Sequence, residues 1–396
     1  MKLNKGPLVD VKGGFGQTSY TAKISEKNMH KLWDILQDPY KNPIGAIVRE
    51  YTSNAWDSHV EAGVKDNPII VTIDKDDGGW FWSVEDFGVG MSEDRVEKVF
   101  VEYLETTKDL SNNEIGAFGI GSKSGLSYQD VVHYMTRYEG MEYTYMLRKG
   151  ETAPTMDLLS KVATTKGSGT LVKVYIKESY RMAYSRKEPE VWKFKDECKM
   201  QLPYFHNVYF NGCDIDNDYK IYEGDHFKAS TLVTTNKMHM CIGDVYYPID
   251  WEQMRIDPVD IAVALKFSIG DLDLQFTRED VKYSQRTKDA IKAKISDFTD
   301  EVLTMWYSEE NMIKDDIFDY YDAIENDEAL LDLDGIKINI YNLDKGKIKK
   351  KFVFKPMSGI AVPTKYEFFV DYTVSREVTN SGSLSKKDST THSTYV

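Results

Sequence analysis

Glu50, Asn54 and Asp57 sit at spacings of four and three within REYTSNAWDSH, residues 49–59. On a helix those offsets bring all three side chains to one face. A carboxylate, an amide and a second carboxylate aligned in this way can activate a water and hold a divalent cation. Two glycine-rich segments downstream add what that face lacks. Asp86-Phe-Gly-Val-Gly90 places a carboxylate beside Gly88 and Gly90. A planar ring can approach such a backbone closely, and an ionised Asp86 accepts a hydrogen bond from an exocyclic amine. An ordinary Asp-Gly turn at the end of a strand is spelled the same way. Gly116-Ala-Phe-Gly-Ile-Gly121 can fold as a nest of converging backbone N–H groups around phosphate, backed by a helix from Ser122. Lys123, one turn in, and Lys108, before the loop, can add positive charge. The segment is not a Walker A, since no Gly-Lys-Ser/Thr closes it, and no parallel βαβ unit makes it a Rossmann fingerprint.

These residues need a frame. Asn42-Pro43 opens a helix, with proline suited to its first position, and Ala62-Gly63 closes it. Ile44, Val48, Tyr51 and Ala55 form its apolar stripe. The three polar residues lie to one side of that stripe, facing a cavity while the stripe meets a core. An earlier helix is expected from Ser25. Residues 68–74 and 80–84 read as a hairpin around a Lys-Asp-Asp-Gly-Gly turn, so Asp86 follows a strand directly. Residues 131–137 and 142–147 form another strand pair, and GTLVKVYI from Gly169 alternates cleanly. The fold class is α+β, beginning with an α/β sandwich: a mixed, mostly antiparallel sheet with helices on one face.

At 396 residues the chain is long for a single core. A polar stretch at 177–192 contains Pro189 and marks a boundary. The expected division is an arm at 1–20, a site-bearing domain at 21–185, a second α+β domain at 190–305, a C-terminal α/β region at 306–378 and a disordered tail at 379–396. Ile291, Ile295, Phe298 and Val302 stripe a helix over 284–307. A net charge of −14 repels phosphate backbones, so nucleic acid is not the expected partner. Cys198, Cys213 and Cys241 are too scattered for a disulfide framework or a metal knuckle and fit a reducing compartment. The seven histidines are dispersed, with no HExxH or Cys/His cluster, and read as structural. No apolar run reaches membrane-spanning length, and residues 1–14 lack a signal-peptide core. A cytoplasmic protein with no transmembrane segment is expected, with peripheral membrane contact left open. The lysines at 345, 347, 349, 350 and 351 read as guards of a solvated edge strand, with contact to anionic lipid or nucleic acid as the alternative.

Glu-x3-Asn-x2-Asp, Asp-x-Gly-x-Gly, Gly-x2-Gly-x-Gly and Gly169-Thr170, in this order, resemble the GHKL ATPases of the Bergerat fold over residues 20–180. That family includes gyrase B-type topoisomerases, Hsp-ninety-type chaperones, histidine kinases and MutL proteins. The resemblance implies ATP and Mg²⁺ as cofactors. It implies Glu50 as the general base that polarises the attacking water, Asn54 as the Mg²⁺ ligand, and Asp57 as a polar position near the base. Asp86 would read adenine with support from Thr170. Gly88, Gly90 and Met91 would line the base pocket. Gly116, Gly119, Ile120, Gly121 and Ser122 would hinge a lid over about residues 93–121 that carries Lys108. Further on, GDLDLQFTRED from Gly270 looks like the middle-domain segment of the Hsp-ninety chaperones. Arg278 then matches the arginine that reaches the γ-phosphate from a second, ribosomal-S5-domain-2-like domain, and Lys266 is the second candidate.

VREYTSNAWDSHVEAG, DFGVGMS, IGAFGIGSKSGLSYQD, GDVYYPID and SIGDLDLQFTRED are also similar to the rIIA-type proteins of tailed bacteriophages, to about residue 300. This implies a role in lysis control or counter-defence in a host cytoplasm, on a host or phage protein partner. The leading expectation is an ATPase working as a conformational switch, with an ATP-dependent homodimer. The alternatives are a nucleotide-gated binding module with little hydrolysis, a protein kinase of the histidine-kinase type, and a MutL-like DNA clamp.

Overall fold

The computed structural model describes residues 39–100, 121–150, 153–181, 186–275, 277–306 and 330–340, with a few short segments beyond them. The arm at 1–20, the helix from Ser25, Lys108, Gly116, Gly119, Ile120, the lysines from 345 to 351 and most of the tail lie outside the described residues. Two compact units divide the chain. One runs to Tyr219 and adds Cys241–Tyr247 and Phe267–Thr287; the other holds Lys220–Met240, Pro248–Lys266 and the residues from Lys288 on.

In the first unit, helix α1 spans Pro43–Ala62. Asn42 caps it by accepting from the Gly45 N–H at 3.0 Å, and Pro43 occupies its first position. Gly63 ends it in the left-handed conformation at φ 71°, its N–H returned to the last turn. Ile44, Ile47, Val48, Tyr51 and Ala55 are buried, as the apolar stripe requires. Glu50 and Asp57 are buried too, which rules out a merely solvated polar face.

The strands β1 (Ile69–Asp76), β2 (Gly79–Glu85), β3 (Val131–Tyr138), β4 (Met141–Arg148), β5 (Thr155–Ala163) and β6 (Gly169–Tyr175) form most of one sheet. A helix α2 (Glu93–Phe100) follows β2. Beyond β6 come a hairpin of β7 (Glu178–Arg181) and β8 (Arg186–Pro189), helix α3 (Val191–Gln201) and strand β9 (Val208–Asn211). The sheet order is β5-β4-β3-β6-β2-β1-β9. Every pairing is antiparallel except β1 with β9, which is parallel. Trp82 on β2 stacks on Tyr51 of α1 at 6.4 Å and on Phe194 of α3 at 6.3 Å, so both helices cover the same sheet face. The unit therefore continues past the boundary expected near residue 185. The reason is non-local: α3 packs on α1, and β9 adds a strand beside β1.

The helix expected from Ser122 is a 3-10 segment, Gly121–Ser127. Two glycines and three serines in seven residues give it little α propensity. Its backbone groups are also claimed by side chains. Gly125 N–H donates to the Tyr51 hydroxyl at 3.0 Å, and the Ser122 carbonyl accepts from the hydroxyls of Tyr51 and Tyr134. An α-helix would need those groups for itself.

The second unit is also α+β. Strand Ile221–Glu223 pairs antiparallel with Phe227–Ser230, which pairs with Ala264–Phe267. Phe227 packs edge-on against Phe298 at 5.1 Å, on the long helix that ends at Trp306. Glu301 of that helix accepts from the N–H groups of Asp225 and His226 at 2.8 and 2.9 Å. Ile291, Phe298 and Val302 are buried, in line with the expected stripe.

Candidate active site

At the middle of α1, the Glu50 carboxylate lies between two guanidiniums. Arg49 Nε is 3.1 Å from Oε1, and Arg278 Nη1 is 3.4 Å from Oε2. All three side chains are at most 7% exposed. Arg278 sits in a tight turn in which its own N–H donates to the Gln275 carbonyl at 3.0 Å, with a φ of 57° that is unusual for a residue carrying a side chain. The turn is fastened to α1 at two further points. Arg49 Nη2 donates to the Thr277 carbonyl at 3.3 Å, and Glu279 accepts from the N–H groups of Lys41 and Asn42 at 3.0 and 2.7 Å. Arg278 was expected from a second domain, but the structure groups its turn with the residues of α1. Burial pushes the Arg278 guanidinium down. Glu50 outweighs that, with Tyr247, Asp57 and Tyr40 adding to it, and its pKa stands above the ordinary arginine value. The hydroxyls of Tyr40 and Tyr247 and Nε of Arg278 are buried without hydrogen-bond partners among the described residues. Gly121 presses on the same carboxylate: a Cβ there would lie 2.5 Å from Glu50 Oε2.

Asn54, one turn beyond Glu50, is half-exposed, and Asp57 is buried. Lys123 is buried with its Nζ 5.9 Å from the Phe100 ring centroid, and burial pushes its pKa down to about 8. Lys266, the second candidate for the phosphate-reaching cation, belongs to the other unit and pairs there with Glu223 at 2.7 Å.

The far end of α1 meets the turn after β2. Asp86 Oδ1 accepts from the Ser58 hydroxyl at 3.0 Å and from the Gly88 N–H at 2.9 Å. Both bonds fall on one oxygen, which leaves acceptor capacity on the other. Phe87 N–H donates to His59 Nε2 at 2.8 Å, Val89 N–H to Ser58 Oγ at 3.2 Å, and Met91 N–H to Thr136 Oγ1 at 2.8 Å. Thr136 in turn lies 3.2 Å from the hydroxyl of Thr170. Burial pushes the Asp86 carboxyl up to about 6, against the pull of the Gly88 and Ser58 donors, the Thr170 backbone and Arg137. Gly90 has a reason the sequence does not show: its φ is 69°, and a Cβ would lie 2.0 Å from the Arg137 carbonyl oxygen.

The structure thus assembles Glu50, Arg278 and Gly121 at one place, and Asp86, Gly88, Gly90, Met91 and Thr170 at another, joined by α1. Sequence reasoning missed Arg49, Ser58, His59 and Thr136. Ser58 had a usable signal, since Glu50, Asn54 and Ser58 continue one row at intervals of four.

Residues 42–173 match the family model described as histidine kinase-, DNA gyrase B-, and HSP90-like ATPase. This stretch is similar to GHKL-type ATPase domains, and its helix-backed, mostly antiparallel sheet is consistent with a Bergerat α/β fold. The chain is also similar to the chaperone protein HtpG of Streptomyces coelicolor, at 29% identity over 208 residues. That match takes in 46% of this chain and 32% of HtpG, so the chain spans about a third of the relative it matches.

Proposed function

We propose that the chain is a Mg²⁺-dependent ATP-binding conformational switch with slow hydrolysis. The observation that carries this reading is the buried Glu50–Arg278 pair on the helix whose other end holds the buried carboxylate of Asp86. The residues present fit ATP and Mg²⁺. Asn54 is half-exposed and its side chain makes no hydrogen bond among the described residues, and Mg²⁺ beside phosphates needs few protein ligands. Asp86 keeps an oxygen for the adenine amine, with Thr170 beside it. When bound, Mg²⁺ would neutralise charge on the phosphates.

Glu50 takes the proton of the attacking water, a role that requires its carboxylate to be free on one side. Arg278 supplies positive charge to the leaving phosphoryl group. In the structure that guanidinium pairs with Glu50. Its transfer from carboxylate to phosphate releases the base and moves the turn at 275–280, which makes the pair a switch as well as a catalyst. On the GHKL resemblance, Gly121 and Ser122, with Gly116, Gly119, Ile120 and Lys108, would belong to the phosphate-covering lid. The same restraint on Glu50 favours a second reading, a nucleotide-gated binding module with little hydrolysis. On the rIIA-type resemblance, the partners are a second copy of the chain in the ATP state and a host or phage protein, in a cytoplasm, serving lysis control or counter-defence.

The test combines phosphate release with solution mass in ADP and in a non-hydrolysable ATP analogue. Turnover with a shift from monomer to dimer only in the analogue is the expected result. Binding without turnover selects the module. Absence of Mg²⁺-ATP binding ends both.

A further inference from the structure

The turn at 86–91 is held mostly by side chains from outside it. Asp86 N–H donates to the Thr170 carbonyl at 2.9 Å, and the N–H groups of Phe87, Gly88, Val89 and Met91 each go to a side chain. Three of those acceptors are oxygens. The fourth is an imidazole nitrogen: His59 Nε2, 2.8 Å from Phe87 N. His59 is fully buried, at 0% exposure, and lies on α1 next to Ser58, which holds Asp86 itself. An Nε2 that accepts carries no proton, so the ring is neutral with its proton on Nδ1. Burial favours the same state by pushing its pKa down.

We propose that His59 is a positioning residue for base recognition, fixing the peptide plane between Asp86 and Phe87 so that the Asp86 carboxylate meets an adenine amine. The proposal rests on the ATP-binding reading and deepens it. The Asp86–Phe87 peptide joins the carboxylate to the rest of the turn. Its N–H is part-buried beside α1, and the Thr136 hydroxyl on β3 is already committed to the Met91 N–H. Without an acceptor at position 59 the peptide rotates to find one, and Asp86 turns with it. Ser58 then holds an oxygen that no longer points where the base enters. The residue acts through the Asp86–Phe87 peptide, so its effect falls on base selectivity.

Three variants of the full chain test this: His59→Leu, which removes the acceptor; His59→Gln, whose amide oxygen can reach the Nε2 position; and His59→Asn, whose oxygen falls short of it. Binding of Mg²⁺-ATP and Mg²⁺-GTP is measured by calorimetry, alongside turnover and melting temperature. His59→Leu is expected to weaken ATP binding about tenfold while GTP binding changes little, so the preference for ATP shrinks about tenfold. KM should rise accordingly while kcat falls less than about threefold. His59→Gln should keep the preference, and His59→Asn should lose it. If His59→Leu fails to fold, the Gln and Asn pair gives the same answer. Equal losses for ATP and GTP, or a Gln variant no better than Asn, overturn the proposal. Wild-type chain that binds no ATP overturns the function reading instead, which keeps the two failures apart.

Discussion

The two carboxylates that α1 brings into the site are equally hidden and differently held. Glu50 is 3% exposed and Asp86 5%. Glu50 faces two guanidiniums, at 3.1 and 3.4 Å. The direct partners of Asp86 are uncharged, a hydroxyl and the backbone at Gly88 and Thr170, and the cation it feels, Arg137, is already paired with Glu85 at 2.7 Å. Dipoles do not fully repay the loss of water, so Asp86 rises to about 6. The difference separates two tasks. On the proposed reading, the group that would take a proton sits where the charge of two guanidiniums balances its own. On the same reading, the group that would recognise a neutral amine is kept with neutral partners.

The comparison breaks most visibly at Glu50. Glu50→Ala is expected to lower ATP turnover about a thousandfold, within the usual range for a general base, while ATP still binds. It should also lower the melting temperature, because two buried guanidiniums then face each other without a carboxylate. Full turnover in this variant would remove Glu50 from the chemistry. Arg278→Ala is expected to cost about a hundredfold in turnover. Its melting temperature should fall less than that of Glu50→Ala, since Arg49 still pairs with Glu50. The reverse ranking of the two melting temperatures would mean that Arg278, and not Glu50, holds the cluster together.

The Asp86 end tests the other side of the contrast, with a smaller effect and an opposite sign. The ordinary carboxyl value is 3.8 and the folded one about 6, so the fold prefers the protonated form. The unliganded chain should therefore gain stability as pH falls from about 6 to about 4, and carry the full penalty above about 6. Asp86→Asn, which never ionises, should melt higher than wild type at pH 7.5 and bind ATP more weakly. In wild type, ATP affinity should fall up to about tenfold per pH unit below 6, as the carboxylate that accepts from adenine is protonated. Affinity that is flat between pH 7 and 5 would mean that Asp86 does not read the base as an anion.

What the sequence made legible was whatever depends on short offsets. Asn42-Pro43 and Gly63 marked α1, alternation marked the strands, and the four-three spacing put Glu50, Asn54 and Asp57 on one helix. What stayed hidden depends on the chain folding back. Arg49 was passed over because adjacent helical residues do not face each other. Only its long side chain lets Nε return to Glu50. The 3-10 form of Gly121–Ser127 is imposed by the hydroxyls of Tyr51 and Tyr134, which no local propensity reports. Arg278 gave its type and not its backbone: a left-handed turn position is usually marked by glycine, and this one is not. The parallel pairing of β9 with β1 extends the first unit by a contact between residues 69–72 and 208–211.

Arg49 offers the finest test. It carries a charge to Glu50 and, through Nη2, a hydrogen bond to the Thr277 carbonyl, one residue before Arg278. The two contacts pull in opposite directions. The charge restrains the base, whereas the bond to Thr277 holds the arginine turn where it is needed. Arg49→Lys keeps the charge and loses the fork that makes both contacts at once. If placing the turn matters more, turnover falls about threefold with ATP affinity unchanged, and this is the expected outcome. If restraint matters more, the same variant turns over faster than wild type. The first result makes Arg49 a strut for Arg278. The second would make the unliganded site a brake with two guanidinium pads, and would move the chain toward the nucleotide-gated module.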